Sequence, residues 1–137
     1  MITKIFKRTF LFVAVSIFSF NLHAADWTMA SGYPKSNFHT QNIIKFIDDV
    51  KSTTSVNINL NPNDTLIKLD AIKTSLQRGQ IPIGEIRLGI YGNEDPMYIL
   101  AGLPFIAPDY SSAWLLKDVQ MKYLQEKFDK KGLMILY

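Results

Sequence analysis

Two charges close together near the end of an apolar strand are the residues of this chain best placed to do chemistry. In the run IPIGEIRLGIY (residues 81–91), an alternation of period two puts Ile81, Ile83, Glu85, Arg87, Gly89 and Tyr91 on one face and Pro82, Gly84, Ile86, Leu88 and Ile90 on the other. A carboxylate and a guanidinium at the carboxyl end of a buried strand lie where ligands bind in open α/β sheets. The alternative is a structural pair in which Glu85 and Arg87 neutralise each other. Gly32-Tyr33-Pro34-Lys35-Ser36 joins a strand to a helix start, where Ser36 caps and the first N–H groups either receive an anion or complete an ordinary turn. Lys68, early in a second helix, lies near the same end of the sheet, where a solvated lysine is the commoner state.

No catalytic constellation accompanies these residues. His39 stands alone one turn into a helix, where a surface position is the commoner role for a histidine. Asp48-Asp49 has no partner carboxylates at metal-loop spacing and reads as a solvated helix face. HExxH, GxSxG, GxxxxGK[ST] and GxGxxG patterns are all absent, and the chain has no cysteine. Thiol chemistry, disulfide frameworks and Cys-ligated metals are therefore excluded. The expectation is a chain with no catalytic residues, no metal and no cofactor.

The elements that must position Glu85 and its neighbours follow from hydrophobic period and punctuation. Residues 27–33 (WTMASGY) read as a first strand ended by Pro34. Ile43, Ile47 and Val50, widened by Ile44 and Phe46, form the apolar stripe of a helix over 37–53. Residues 56–60 (VNINL) alternate as a second strand, broken by Asn61-Pro62-Asn63-Asp64. A second helix over 65–78, with Leu66, Leu69, Ile72 and Leu76 inward, stops at Gly79. The third strand is 81–91, followed by a short helical piece over 97–101. A long helix spans 111–131, with Ala113, Leu116, Val119, Tyr123, Leu124 and Phe128 as its apolar positions and Gly132 as its stop. Residues 133–137 (LMILY) read as a fourth strand. This alternation implies an α/β fold, a mostly parallel sheet with flanking helices and right-handed crossovers. Ending on a core strand makes the architecture look incomplete.

Composition bounds the setting. The 137 residues are 47% apolar and 12% aromatic, which suits one globular domain. Fifteen Lys and Arg stand against twelve Asp and Glu. Lys4, Lys7 and Arg8, however, head an apolar run over 10–20 (FLFVAVSIFSF) that ends in Asn21-Leu22-His23-Ala24-Ala25, the pattern of an export signal. At about 1.5 Å per residue that run covers roughly half of a ~30 Å hydrocarbon core, so a spanning anchor is disfavoured. Cleavage after Ala24 is expected, leaving residues 25–137 with balanced charge. No basic patch remains to argue for nucleic acid or anionic lipid.

A series of ordered stretches then makes the chain recognisable: ASGYPKSNFHT (30–40), VKST (50–53), NPNDTLIK (61–68), RGQIPIGE (78–85), NEDP (93–96), LPFIA (103–107) and GLMILY (132–137). Taken together, they resemble the N-terminal part of the solute-binding proteins of TRAP transporters, of the DctP type. The resemblance implies a two-lobed periplasmic receptor that closes on a small organic acid and delivers it to membrane subunits, without ATP and without catalysis. It implies that Ser31, Tyr33, Lys68, Glu85 and Arg87 line one side of the cleft, and that residues 25–137 form the N-terminal lobe with the second lobe missing. Thr53-Thr54-Ser55 departs from the family in lacking a glycine. In the family the arginine that pairs with the ligand carboxylate comes from the second lobe, so no residue here takes that role. A small periplasmic sensing or interaction module on the same half-fold is the alternative.

Overall fold

The computed structural model describes residues 25–137; the expected export signal, with its expected cleavage after Ala24, lies outside them. Three parallel strands, β1 (Asp26–Ala30), β2 (Asn57–Asn61) and β3 (Ile83–Gly84), form one sheet in the order β2-β1-β3. The register runs from Asp26 opposite Asn57 to Ala30 opposite Asn61, and from Met29 opposite Ile83 to Ala30 opposite Gly84. Parallel strands need crossovers, and helices α1 (Phe38–Thr53) and α2 (Ile72–Gln77) supply them. The expected α/β class with a parallel sheet and flanking helices is what the structure shows.

Successive β1 residues point to opposite faces, and each face has its own core. Met29 packs with Ile43, Ile58 and Ile83 beneath α1, joined by Phe46, Ile47 and Val50. Ala30 packs with Ile72 and Ile81 on the other face, flanked by Leu69 and Leu76. Contact there is close: a Cβ on Gly84 would stand 2.6 Å from Ile72 Cγ2, and one on Gly32 would stand 2.6 Å from Leu69 Cβ. Helix α3 (Tyr110–Asp129) builds a third cluster in which Leu124 and Phe128 meet Tyr91 and Tyr98.

Four expectations change. The second helix begins at Ile72, because the backbone turns through left-handed Asn63 and Asp64 (φ 59° and 57°) and Asp64 Oδ1 accepts from Leu69 N–H at 2.9 Å; Leu66, expected inward, is exposed. The third strand keeps only Ile83–Gly84, and Leu88–Tyr91 curls into a 3₁₀ turn. Residues 133–137 are not a strand: Leu133 and Ile135 pack inward and Met134 and Leu136 outward, yet no strand pairs with them among the described residues. On α3 only the C-terminal half is buried, with Gln120 rather than Val119 inside; its Nε2 donates to the Met97 carbonyl oxygen at 2.5 Å. The expected helical piece is the 3₁₀ turn Pro96–Gly102, and Gly79 (φ 67°) and Gly132 (φ 70°) end α2 and α3 as expected.

A charged network ties α2 to α3 through the NEDP stretch. Lys73 is 2% exposed, pairs with Glu94, and lies 4.2 Å from the Tyr91 ring centroid. Lys131 reaches the other Glu94 oxygen at 3.2 Å. Asp95 caps the Pro96–Gly102 turn through Met97 N–H and accepts from the Tyr123 hydroxyl at 2.7 Å and from Lys127 at 3.1 Å. The hydrogen bond from Lys73, helped by Lys131, holds Glu94 below the usual carboxylate range; the Tyr123 hydroxyl, then Met97 N–H and Lys127, do the same for Asp95. Carboxyls lowered in the folded state contribute stability that is complete above their ordinary values and is lost as pH falls through the lowered ones. Urea midpoints should thus be flat above about pH 5 and fall below about pH 4. Glu94→Gln, which strands the buried Lys73, should destabilise by about 3 kcal/mol at neutral pH and make that acid slope shallower, leaving the Asp95 share.

Candidate functional site

The carboxyl ends of the three strands converge on one edge, and the register decides what meets there. Since Ala30 sits opposite Gly84, the next pair is Ser31 and Glu85, and Glu85 N–H still donates to the Ala30 carbonyl at 2.9 Å. Ser31 Oγ donates to Glu85 Oε2 at 2.5 Å and accepts from Tyr33 N–H at 3.3 Å. Ser31 is wholly buried, and its backbone is also used: its N–H donates to Asn61 O at 3.0 Å and its carbonyl accepts from Asp64 N–H at 3.2 Å.

The left-handed turn after β2 is what grips this loop. Asn63 N–H donates to the Tyr33 carbonyl at 2.9 Å, and Thr40 Oγ1, fully buried, donates to the same oxygen at 3.2 Å. Asn and Asp are the non-glycine residues that visit this conformation at least cost. Helix α1 is capped by Asn37 and not by Ser36: Asn37 Oδ1 accepts from His39 N–H at 2.9 Å. At that start the His39 ring stacks on Tyr33, with centroids 5.1 Å apart, and lies tilted against Phe38 at 4.0 Å. His39 stays exposed in the cap region, as expected, and its ring stands beside Tyr33.

Of the expected site residues, the structure joins Ser31, Tyr33 and Glu85 directly. Glu85 and Arg87 are not a mutually neutralised pair, since the Glu85 carboxylate is engaged by Ser31 and Arg87 is exposed just before the Leu88–Tyr91 turn. Lys68 is exposed on the turn segment before α2 rather than in a helix. Among the described residues neither cation forms an ion pair. Below Glu85 a groove of about 660 Å³ runs between α1, β3 and the C-terminal segment, with His39, Phe46, Ile83, Ile86 and Tyr137 among its lining. Partial burial, then the nearby Glu85 carboxylate, raises the Tyr137 phenol above its ordinary value. The arrangement can present a carboxylate acceptor held by Ser31 beside an aromatic wall, with two exposed cations, Lys68 and Arg87, on the segments that follow β2 and β3.

Known proteins share this frame. At 39% identity and a TM-score of 0.80 the chain is similar to DctP6, a Bordetella pertussis extracytoplasmic solute receptor binding pyroglutamic acid, over 82% of this chain and 38% of that one. DctP7 of the same organism, which also binds pyroglutamic acid, matches at 33% identity and a TM-score of 0.79, over 83% and 38%. A marine metagenome TRAP solute binding protein specific for pyroglutamate matches at 30% identity and 0.79, over 85% and 39%. A Roseobacter denitrificans TRAP periplasmic protein with bound β-D-glucuronate, at 21% identity and 0.67, shares the fold. No family model and no curated protein matches the chain. The resemblance to TRAP solute receptors is thus shown in both sequence and fold, and the chain spans about 38% of the length of the receptors it matches.

The turn that holds Ser31 and Tyr33 offers a direct check. Asn63→Gly should leave stability unchanged or slightly raised, whereas Asn63→Val should cost about 1–2 kcal/mol in chemical denaturation, the strain of a branched side chain at φ 59°. Equal effects from both substitutions would show that the turn can relax.

Proposed function

We propose that this chain is the ligand-facing N-terminal lobe of a periplasmic TRAP-type receptor for a small carboxylic acid that also carries an N–H donor, of the pyroglutamate kind. The observation that carries this reading is Glu85. Its Oε2 is held by Ser31, which leaves Oε1 as an acceptor at the carboxyl edge of the sheet. A ligand meeting that atom must bring a donor, and the lactam N–H of pyroglutamate is one. Three similar receptors at 30% identity or more bind pyroglutamate. Tyr33, with His39 behind it, forms the flat wall for the ring, and Lys68 and Arg87 supply positive potential for the acid group. In this role the chain is exported, its leader is removed near Ala24, it catalyses nothing, and the bound acid passes to membrane subunits.

One lobe alone should hold the ligand weakly. An acid group on an open face stays hydrated, and an ion pair with an exposed lysine or arginine is worth about 0–1 kcal/mol, against an association cost of several kcal/mol. Useful affinity requires closure by receptor length that this chain does not span. Titrating the full chain with pyroglutamate by NMR should therefore shift Ser31, Tyr33, His39 and Glu85 with millimolar or weaker affinity, about −4 kcal/mol at most. The ring-oxygen analogue, a lactone acid without the N–H, should leave Glu85 unmoved. Absence of any response at these residues would overturn the site. Micromolar affinity would overturn the need for closure and favour a self-sufficient sensing module.

A further inference from the structure

Resting on the reading of Glu85 as the ligand's acceptor, we propose that Ser31 is a positioning residue that never touches the ligand and acts by fixing the orientation of the Glu85 carboxylate. The burial of Ser31 is complete, and each of its polar groups is occupied within the protein: N–H by Asn61, carbonyl by Asp64, hydroxyl proton by Glu85 and a hydroxyl lone pair by Tyr33 N–H. No polar group of Ser31 is turned toward solvent. The direction of control follows from the relative freedom of the two partners. Ser31 is held by main-chain hydrogen bonds on both sides, whereas Glu85 carries a flexible side chain with three rotatable bonds and is only half-buried. A carboxylate with that freedom samples several directions unless a donor captures one oxygen, and a single captured oxygen aims the other. Alanine would preserve the packing of a wholly buried small residue, so the hydroxyl is there for its hydrogen bonds.

The test compares the full chain with Ser31→Ala, Ser31→Cys and Glu85→Gln. Three-bond couplings about the Glu85 side-chain torsions report its rotamer populations, and melting temperature reports the fold. The expected result is one dominant Glu85 rotamer in the parent chain and averaged rotamers in Ser31→Ala, with melting shifted by only a few degrees. Ser31→Cys, near in size and a weak donor, should be intermediate and serves if alanine perturbs folding. In pyroglutamate titrations Ser31→Ala should lose about as much affinity as Glu85→Gln, roughly tenfold, and the double variant no more than either, because both act through one atom. A Glu85 side chain that keeps its single rotamer without the Ser31 hydroxyl overturns the proposal. Averaged rotamers in the variants, together with a parent chain that gives no pyroglutamate response, would uphold the positioning and overturn the ligand reading, so the two failures are separable.

Discussion

The structure depends on how closely α2 approaches the sheet. Ile72, wholly buried, lies against Ala30 and over Gly84, where a single added carbon would stand 2.6 Å from its Cγ2. Small residues at adjacent register positions of β1 and β3 make that approach possible. Any larger residue at Gly84 would lift α2 or push β3 outward, and interiors packed at crystal-like density do not absorb such shifts. The same register that brings Ala30 beside Gly84 brings Ser31 beside Glu85 one residue later. The packing of one face thus sets the hydrogen bond at the edge. The loop between β1 and α1 is then clamped from the opposite side by the Asn63–Asp64 turn, so the edge is held from both neighbouring strands.

Much of this was legible in the residues. Period and punctuation place β1, α1, β2 and α3 within a few residues of where they stand, because each is long or bounded by a strong signal. The misreadings share one cause: a local pattern cannot reveal whether a partner exists. Residues 81–91 have the period of a strand for eleven positions, yet β1 pairs only with Ile83 and Gly84, and because β1 ends at Ala30 the ladder cannot run on to Tyr91. Residues 133–137 keep the alternation of a strand, with Leu133 and Ile135 inward, and pair with nothing among the described residues. Leu66 fits the helical stripe, but left-handed Asn63 and Asp64 delay the helix by seven residues relative to its expected start at 65.

The candidate site was legible by residue type and less so by role. Placing Glu85 at the carboxyl end of a strand followed from counting. Its partner did not: Arg87, two residues away and opposite in charge, is the obvious choice from sequence, whereas the actual donor is Ser31, 54 residues distant and supplied by sheet register. His39 is the exposed cap-region residue it looked to be; what a lone histidine's spacing does not reveal is that its ring stacks on Tyr33. NEDP was recognisable as a stretch but not as a joint. Its meaning depends on Lys73, a lysine on a short helix, being buried among aromatic rings with Glu94 as its counter-charge.

On the proposed function, a carboxylate in a site for acids looks like a contradiction, and it is better read as the source of selectivity. Specificity is a difference between affinities, and a fixed negative charge raises the cost of the wrong ligand as well as rewarding the right one. A dicarboxylate whose second acid group came within about 6 Å of Glu85 would meet a repulsion of about 3 kcal/mol at an effective dielectric near 20, a factor of more than a hundred. A ligand with an N–H at that point meets a charge-assisted hydrogen bond instead. The discrimination holds only while the carboxylate points one way, because a side chain free to swing aside relieves the repulsion. On the proposed role, the buried Ser31 hydroxyl is therefore what converts the negative charge at the sheet edge into a choice between ligands.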